Sequence, residues 1–145
     1  MESQLLLIGT KNIINKIFNY IILITRMNKK QNILVTGGAG YIGAHIVELL
    51  VKTKANIIII DNLVTGRKKL LNKKAKFIKE DIKNKTSLIK IINDYEINSI
   101  IHLAGSLNVS EAEKNKKKYY KNNVEGTLNL VNACKNSTVK NIIFS

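Results

Sequence analysis

Proline and tryptophan are absent from this 145-residue chain, cysteine occurs once, and only Arg26 and Arg67 break a cation set otherwise made of lysine. A single thiol, Cys134, excludes an internal disulfide and fits a reducing, cytoplasmic setting. With Leu130 and Val131 as neighbours it reads as a small core-facing residue on a helix, not a nucleophile. The scarcity of arginine bears on the net charge of +14. Specific readers of nucleic acid favour arginine for bidentate contacts to phosphate and base, so a lysine excess spread along the whole chain does not describe one. Lysine, asparagine and isoleucine share A/T-rich codons, and with proline missing, coding bias accounts for a solvated basic surface without a nucleic-acid partner.

Long apolar runs are also missing. In residues 1–30, Leu5 to Ile8 are apolar, and Ile13, Ile14, Ile17, Phe18, Ile21 and Ile22 recur at helical spacing on one face. Lys11 and Lys16 interrupt the stretch, leaving it short of the ~20 residues that span a bilayer. No small-residue cleavage site follows, which argues against a secretory signal. An amphipathic membrane-surface anchor is the functional reading of this segment. The reading favoured here is an extension, with Met27 as the natural start, because Asn28 to Gln31 lead directly into a strand.

From Asn32 the chain alternates short apolar runs with helix-like segments. Strands are expected at Ile33–Val35, Ile57–Ile60, Phe77–Ile78, Ile100–Leu103 and Ile142–Phe144. Helices are expected around Ile42, Ile46, Leu49 and Leu50, around Leu88 to Ile92 with Asn84 or Thr86 as N-cap, and along Val124, Leu128 and Val131. This alternation implies an α/β fold: a Rossmann-type doubly wound parallel sheet with strand order 3-2-1-4-5. Ligands of such sheets bind beyond the carboxyl ends of the strands where the order reverses, here at Gly37 and at Ala104-Gly105.

The stretch Thr36 to Gly43 follows a strand and opens a helix, the context that turns a glycine triplet into evidence. Gly37 permits the tight turn, Gly40 lets the backbone approach a pyrophosphate, and Gly43 lets the helix pack on the sheet. The helix N-terminus then supplies N–H groups and partial positive charge to phosphates. Asp61, closing the second strand, can accept hydrogen bonds from ribose hydroxyls and would repel a 2′-phosphate, so the cofactor expected is NAD and not NADP. Asp81-Ile82, past the third strand, lies where adenine is contacted in such folds.

Six segments carry a more specific resemblance: Val35 to Gly43, Asp61-Asn62-Leu63, Glu80-Asp81-Ile82, His102-Leu103-Ala104-Gly105, Tyr119 to Leu128, and Val139 to Ser145. Over Asn32 to Ser145 the chain resembles the extended short-chain dehydrogenase/reductases of the NAD-dependent epimerase/dehydratase type, the UDP-glucose 4-epimerases above all. The resemblance implies that Gly37, Gly40, Tyr41, Ile42, Gly43, Asp61, Asn62, Asp81, Ile82, Leu103, Ala104, Gly105 and Asn122 line an NAD site, Asn122 near the nicotinamide ribose. His102 and His45 read as packed or structural. It also implies a UDP-sugar substrate and homodimers paired through helices of this domain. Two departures stand out: Leu107 where well-known members carry lysine, and Lys114 to Lys118 where the family tends to place proline before the Tyr-Tyr pair.

In that family a tyrosine and lysine spaced Tyr-x-x-x-Lys deprotonate the sugar hydroxyl while NAD takes up and returns hydride, inverting the carbon through a 4-keto sugar. None of Tyr20, Tyr41, Tyr95, Tyr119 or Tyr120 has lysine four residues on. Residues 31–145 are therefore expected to be an incomplete cofactor domain, inactive alone, ending with an exposed sheet edge. Alternatives are another extended member such as a UDP-glucuronate epimerase or nucleotide-sugar dehydratase, a non-catalytic NAD-binding module, or a surface-binding protein using its N-terminal segment.

Overall fold

The structure, a computed structural model, describes residues 6–8, 19, 22–23, 30–106 and 113–144. Its strands are β1 (Leu6–Ile8), β2 (Asn32–Thr36), β3 (Asn56–Asp61), β4 (Lys76–Lys79), β5 (Ser99–His102) and β6 (Asn141–Phe144). The helices are α1 (Tyr41–Leu50), α2 (Lys85–Asp94), α3 (Lys116–Tyr119) and α4 (Gly126–Ala133), with a π-helical turn, Tyr120–Glu125, joining the last two. Every strand pairing is parallel, and the order is β1-β6-β5-β2-β3-β4. Taken from β4, the five strands after β1 have the expected order 3-2-1-4-5. Val35 in β2 is in register with Ile59 of β3 on one side and Ile101 of β5 on the other.

The difference lies at the far edge. A 3-2-1-4-5-6 sheet gives the place outside its fifth strand to a later strand. Here β1 takes that place, pairing Leu6, Leu7 and Ile8 with Asn141, Ile142 and Ile143. The edge expected to be open is thus covered over these three residues. So short an apolar run has no period that separates strand from helix, and its partner lies far along the chain. The helical stripe from Ile13 to Ile21 falls outside the described residues; Asn19, Ile22 and Leu23 are helical and exposed. No helix among the described residues is long and apolar enough to cross a membrane.

The inner strands β2, β3 and β5 are buried on both faces because each is centred on an apolar run whose successive side chains point to opposite sides. Ile33, Val35, Ile57, Ile59, Ile101 and Ile143 meet Ile46, Val47 and Leu50 of α1. Leu34, Ile58, Ile60, Ile100 and Ile142 meet Leu88, Ile91 and Ile92 of α2 and Leu130 and Ala133 of α4. Asn84 caps α2, its side chain accepting from the Ser87 N–H at 3.2 Å. Cys134 is buried with this second layer, its thiol donating to the Leu130 carbonyl, and burial pushes its pKa up to about 12.

Two expected helix faces are rotated. In α1 the buried side is Gly43, Ala44, Ile46, Val47 and Leu50, which leaves Ile42 and Leu49 exposed. Along the last helix Val124 and Leu128 are exposed, while Gly126, Leu130 and Ala133 face inward. The cause is close packing at Gly126, where a Cβ would stand 2.7 Å from Cδ1 of Ile82. Hydrophobic periodicity tracks the larger side chains and passes over a glycine chosen for proximity.

Candidate functional site

At the end of β2 the backbone turns under the start of α1. The Gly37 N–H donates to the Ile60 carbonyl and the Gly40 N–H to the Gly37 carbonyl, at 2.9 and 3.1 Å. Gly37 has φ 71°, and a Cβ there would sit 2.7 Å from the backbone nitrogen of Ala104. Its freedom therefore serves both the turn and the close approach of the β2 and β5 ends. At Gly43 a Cβ would lie 2.7 Å from Cα of Gly38, so α1 rests directly on the turn. Gly40 is the N-cap of α1, with no side-chain cap and no acidic residue in the first turn. The N-terminal N–H groups and the dipole of a ten-residue helix are thus left to an external anion. Exposed Tyr41 and Ile42 flank this end, the Tyr41 ring tilted against His45. His45 Nδ1 lies 2.8 Å from the Tyr41 carbonyl, which fits its structural reading.

Asp61, 8% exposed, is more constrained than a ribose ligand alone would need. One carboxylate oxygen accepts from the Ala39 N–H at 3.0 Å, the other from the Leu63 N–H at 2.8 Å. Each oxygen keeps a further lone pair, so Asp61 ties the glycine turn to the end of β3 and can still accept from a ligand hydroxyl. Asn62 bridges onward, its amide donating to Asp81 at 3.0 Å. Burial works against ionisation of Asp81, but the Lys83 backbone N–H, the Asn62 amide and the Lys83 ammonium outweigh it and hold its pKa below the ordinary 3.8. The Ile82 side chain lies in the core, 4% exposed, so its main chain is what a ligand there can meet.

Across the switch point the end of β5 opens into Leu103, Ala104, Gly105 and Ser106. Leu103 and Ala104 N–H groups both donate to the Thr36 hydroxyl at 3.2 Å. Asn123, on the π-helical turn, accepts from the Ser106 N–H at 2.8 Å and donates to its carbonyl at 3.0 Å. Asn122 donates to the Ser106 hydroxyl and to the Asn123 side chain, at 3.2 and 2.9 Å. The residues singled out from the sequence therefore lie at the carboxyl ends of β2, β3, β4 and β5, with Asn122 on the π-helical turn beside the last. Thr36, Ala39, Ser106, Asn123 and Thr127, not assigned to the site from the sequence, hold the others in place through hydrogen bonds; all but Ser106 lie in the stretches Thr36 to Gly43 and Tyr119 to Leu128 that the sequence marks. Leu107 and Ser145 lie outside the described residues.

A broad concavity bounded by Asn32, Asn56, Lys74, Asn93 and Glu96 sits at the opposite, N-terminal ends of β2 and β3. It lacks the glycine turn and helix N-terminus that the topology places at the other end. Among the described residues no cluster of three or more His, Cys, Asp or Glu is placed to hold a metal.

Residues 33–145 match the model of the NAD dependent epimerase/dehydratase family. The UDP-glucose 4-epimerase of Klebsiella pneumoniae is 41% identical over 122 residues, covering 79% of this chain and 88% of that sequence. That of Lactobacillus helveticus is 42% identical over 115 residues, covering 79% of this chain and 35% of the relative. Among solved structures, the UDP-glucose 4-epimerase of Thermotoga maritima with UDP-glucose superposes with TM-score 0.77 at 33% identity, over 79% of this chain and 37% of that one. The Brucella ovis enzyme in complex with NAD gives 0.75 at 37% identity, over 79% and 35%. The chain thus spans about a third of the length of these relatives, the Klebsiella sequence excepted. With the sheet order, the glycine turn and Asp61 in their expected places, the chain belongs to the NAD dependent epimerase/dehydratase family.

Proposed function

We propose that this chain is the NAD-binding portion of a UDP-glucose 4-epimerase, which interconverts UDP-glucose and UDP-galactose. The observation that carries this reading is the uncapped α1 N-terminus standing over Gly37, Gly40 and Gly43, with Asp61 fastened to the same turn through Ala39. These residues fit NAD. The turn and the first N–H groups of α1 would hold the pyrophosphate, and Asp61 and Asn62 the adenosine ribose. Asp81 and the Ile82 main chain would meet the adenine, and Leu103, Ala104, Gly105 and Asn122 the nicotinamide side. Bound there, NAD would supply the hydride acceptor for oxidation at the sugar C4. Residues 31–145 form the cofactor unit, and Cys134, buried as a free thiol, suits the reducing cytoplasm.

The 145 residues include no Tyr-x-x-x-Lys, so they bind cofactor without providing the base that removes the sugar proton. Isothermal calorimetry of the full chain should show saturable NAD binding and affinity for NADP weaker by about tenfold or more, a difference of about 1.4 kcal/mol. On the same preparation UDP-galactose should not turn over. Absence of NAD binding defeats the reading, and tighter binding of NADP would contradict the role given to Asp61.

The chain also pairs with a second copy through exposed Ile89 of α2, Val124 of the π-helical turn and Leu128 of α4, since apolar groups of this size on adjacent helices are protected by association. Sedimentation equilibrium should return twice the chain mass, shifting toward monomer in Leu128→Lys. A monomer at micromolar concentration rejects the pairing.

A further inference from the structure

His102 is 1% exposed at the end of β5, and the cofactor-binding scheme above gives it nothing to do. Both of its ring nitrogens are bonded. Nδ1 lies 2.6 Å from the Thr36 hydroxyl and Nε2 2.9 Å from the Thr127 hydroxyl. The neighbouring bonds decide which way each proton points. Thr36 Oγ1 already accepts from the Leu103 and Ala104 N–H groups, so its own proton goes to Nδ1. Thr127 Oγ1 donates to the Asn123 carbonyl at 2.6 Å, so it can only accept from His102, and Nε2 carries the hydrogen. One directed chain of hydrogen bonds therefore runs from the β5 end through Thr36, His102 and Thr127 to the Asn123 carbonyl.

That carbonyl belongs to the π-helical turn, whose wider winding is visible where the Gly126 N–H bonds to the Lys121 carbonyl five residues back. The same turn grips Ser106 through Asn123 and presents Asn122. The segment from Leu103 to Ser106 is thus held at one end by Thr36 and at the other by Asn123, and His102 links the two holds. The Phe144 ring, with its centroid 5.5 Å away, packs beside the imidazole. Burial lowers the His102 pKa to about 4, in keeping with a neutral ring.

We propose that His102, fixed as its Nε2–H tautomer between Thr36 and Thr127, is a positioning residue that sets the π-helical turn carrying Asn122 against the Leu103–Ser106 strand end. A histidine that merely filled core volume would need neither a single tautomer nor two hydroxyl partners oriented by backbone groups. The role rests on the NAD-site reading above only in its consequence for affinity; the tautomer and the linkage stand on the hydrogen bonds.

The test uses the isotopically labelled full chain at neutral pH. Nitrogen NMR of His102 should show Nε2 protonated and Nδ1 bare. Thr127→Val removes the Nε2 acceptor and the donor to Asn123, whereas Thr127→Ser keeps both. In the valine variant Nδ1, still facing the Thr36 proton, should stay bare while the Nε2 resonance shifts for want of its acceptor, the amides of Gly105 and Ser106 and the side-chain amides of Asn122 and Asn123 should shift, and the NAD dissociation constant should rise about tenfold. The serine variant should restore all of these. A protonated Nδ1 in the parent chain overturns the proposal, as does a valine variant whose Asn122, Asn123 and Ser106 signals stay in place. Should the parent chain bind no NAD, the reading under Proposed function fails, and the tautomer and amide shifts still decide the role of His102.

Discussion

Gly37→Ala is expected to be severely damaging for a single-methyl change, with a loss of about 2–5 kcal/mol of stability and of measurable NAD binding. Two penalties combine. An L side chain at φ 71° costs about 1–2 kcal/mol. The added Cβ would also stand 2.7 Å from the Ala104 backbone nitrogen and 2.8 Å from the Leu103 carbonyl carbon, with no flexible side chain to give way. Relief requires the β2 and β5 ends to separate, at an overpacking cost of about 1–3 kcal/mol. That movement pulls the Ala104 N–H from Thr36 and opens the switch point where the cofactor site lies. Gly105→Ala is the control: its Cβ would have only the Asn123 side-chain oxygen at 3.8 Å, and stability should stay within about 0.5 kcal/mol. Urea unfolding of the two variants checks the contrast, and equal stability would show that the turn does not need glycine.

Asp61→Ala should separate two functions of one carboxylate. Removing it leaves the Ala39 N–H without its partner at a residue that is 0% exposed, and frees the Leu63 N–H as well. A buried donor left unpaired costs about 1–3 kcal/mol, a loss that denaturant melts would report with no ligand present. Calorimetry reads the second effect. NAD should bind more weakly for want of the ribose acceptor, while NADP, no longer repelled, should lose less or gain. Asp61→Asn keeps one acceptor without the charge, and should fall between the parent and the alanine variant in stability while narrowing the NAD preference. An alanine variant with parental stability and parental NAD preference would mean that Asp61 neither anchors the turn nor reads the ribose.

The sheet was legible because its signal is coarse and redundant. Ile57 to Ile60, between Asn56 and Asp61, and Ile100-Ile101, between Ser99 and His102, are apolar runs too short for helices, and the crossovers between them admit a parallel arrangement. The glycine turn was legible because a backbone that must pass within van der Waals distance of another leaves a fixed mark in sequence. Three things escaped for identifiable reasons. β1 is three residues long and pairs with a strand at the other end of the chain. The inward face of α4 is set by Gly126 against Ile82, while Val124 and Leu128 attract a count of apolar positions and lie outside. Thr36, Asn123 and Thr127 act through hydrogen bonds between segments far apart in sequence, and nothing in a hydroxyl or amide residue alone says which backbone it will bind.

NAD titrated into the labelled chain while backbone amides are followed by NMR tests the central claim most directly. The account predicts saturable shifts at Gly37 to Gly43, at Asp61 and Asn62, at Ile82, at Ala104 and Gly105 and at Asn122, with Asn32, Asn56 and Glu96 at the other strand ends unmoved. Shifts confined to those N-terminal strand ends, or a spectrum unchanged at millimolar NAD, would contradict it.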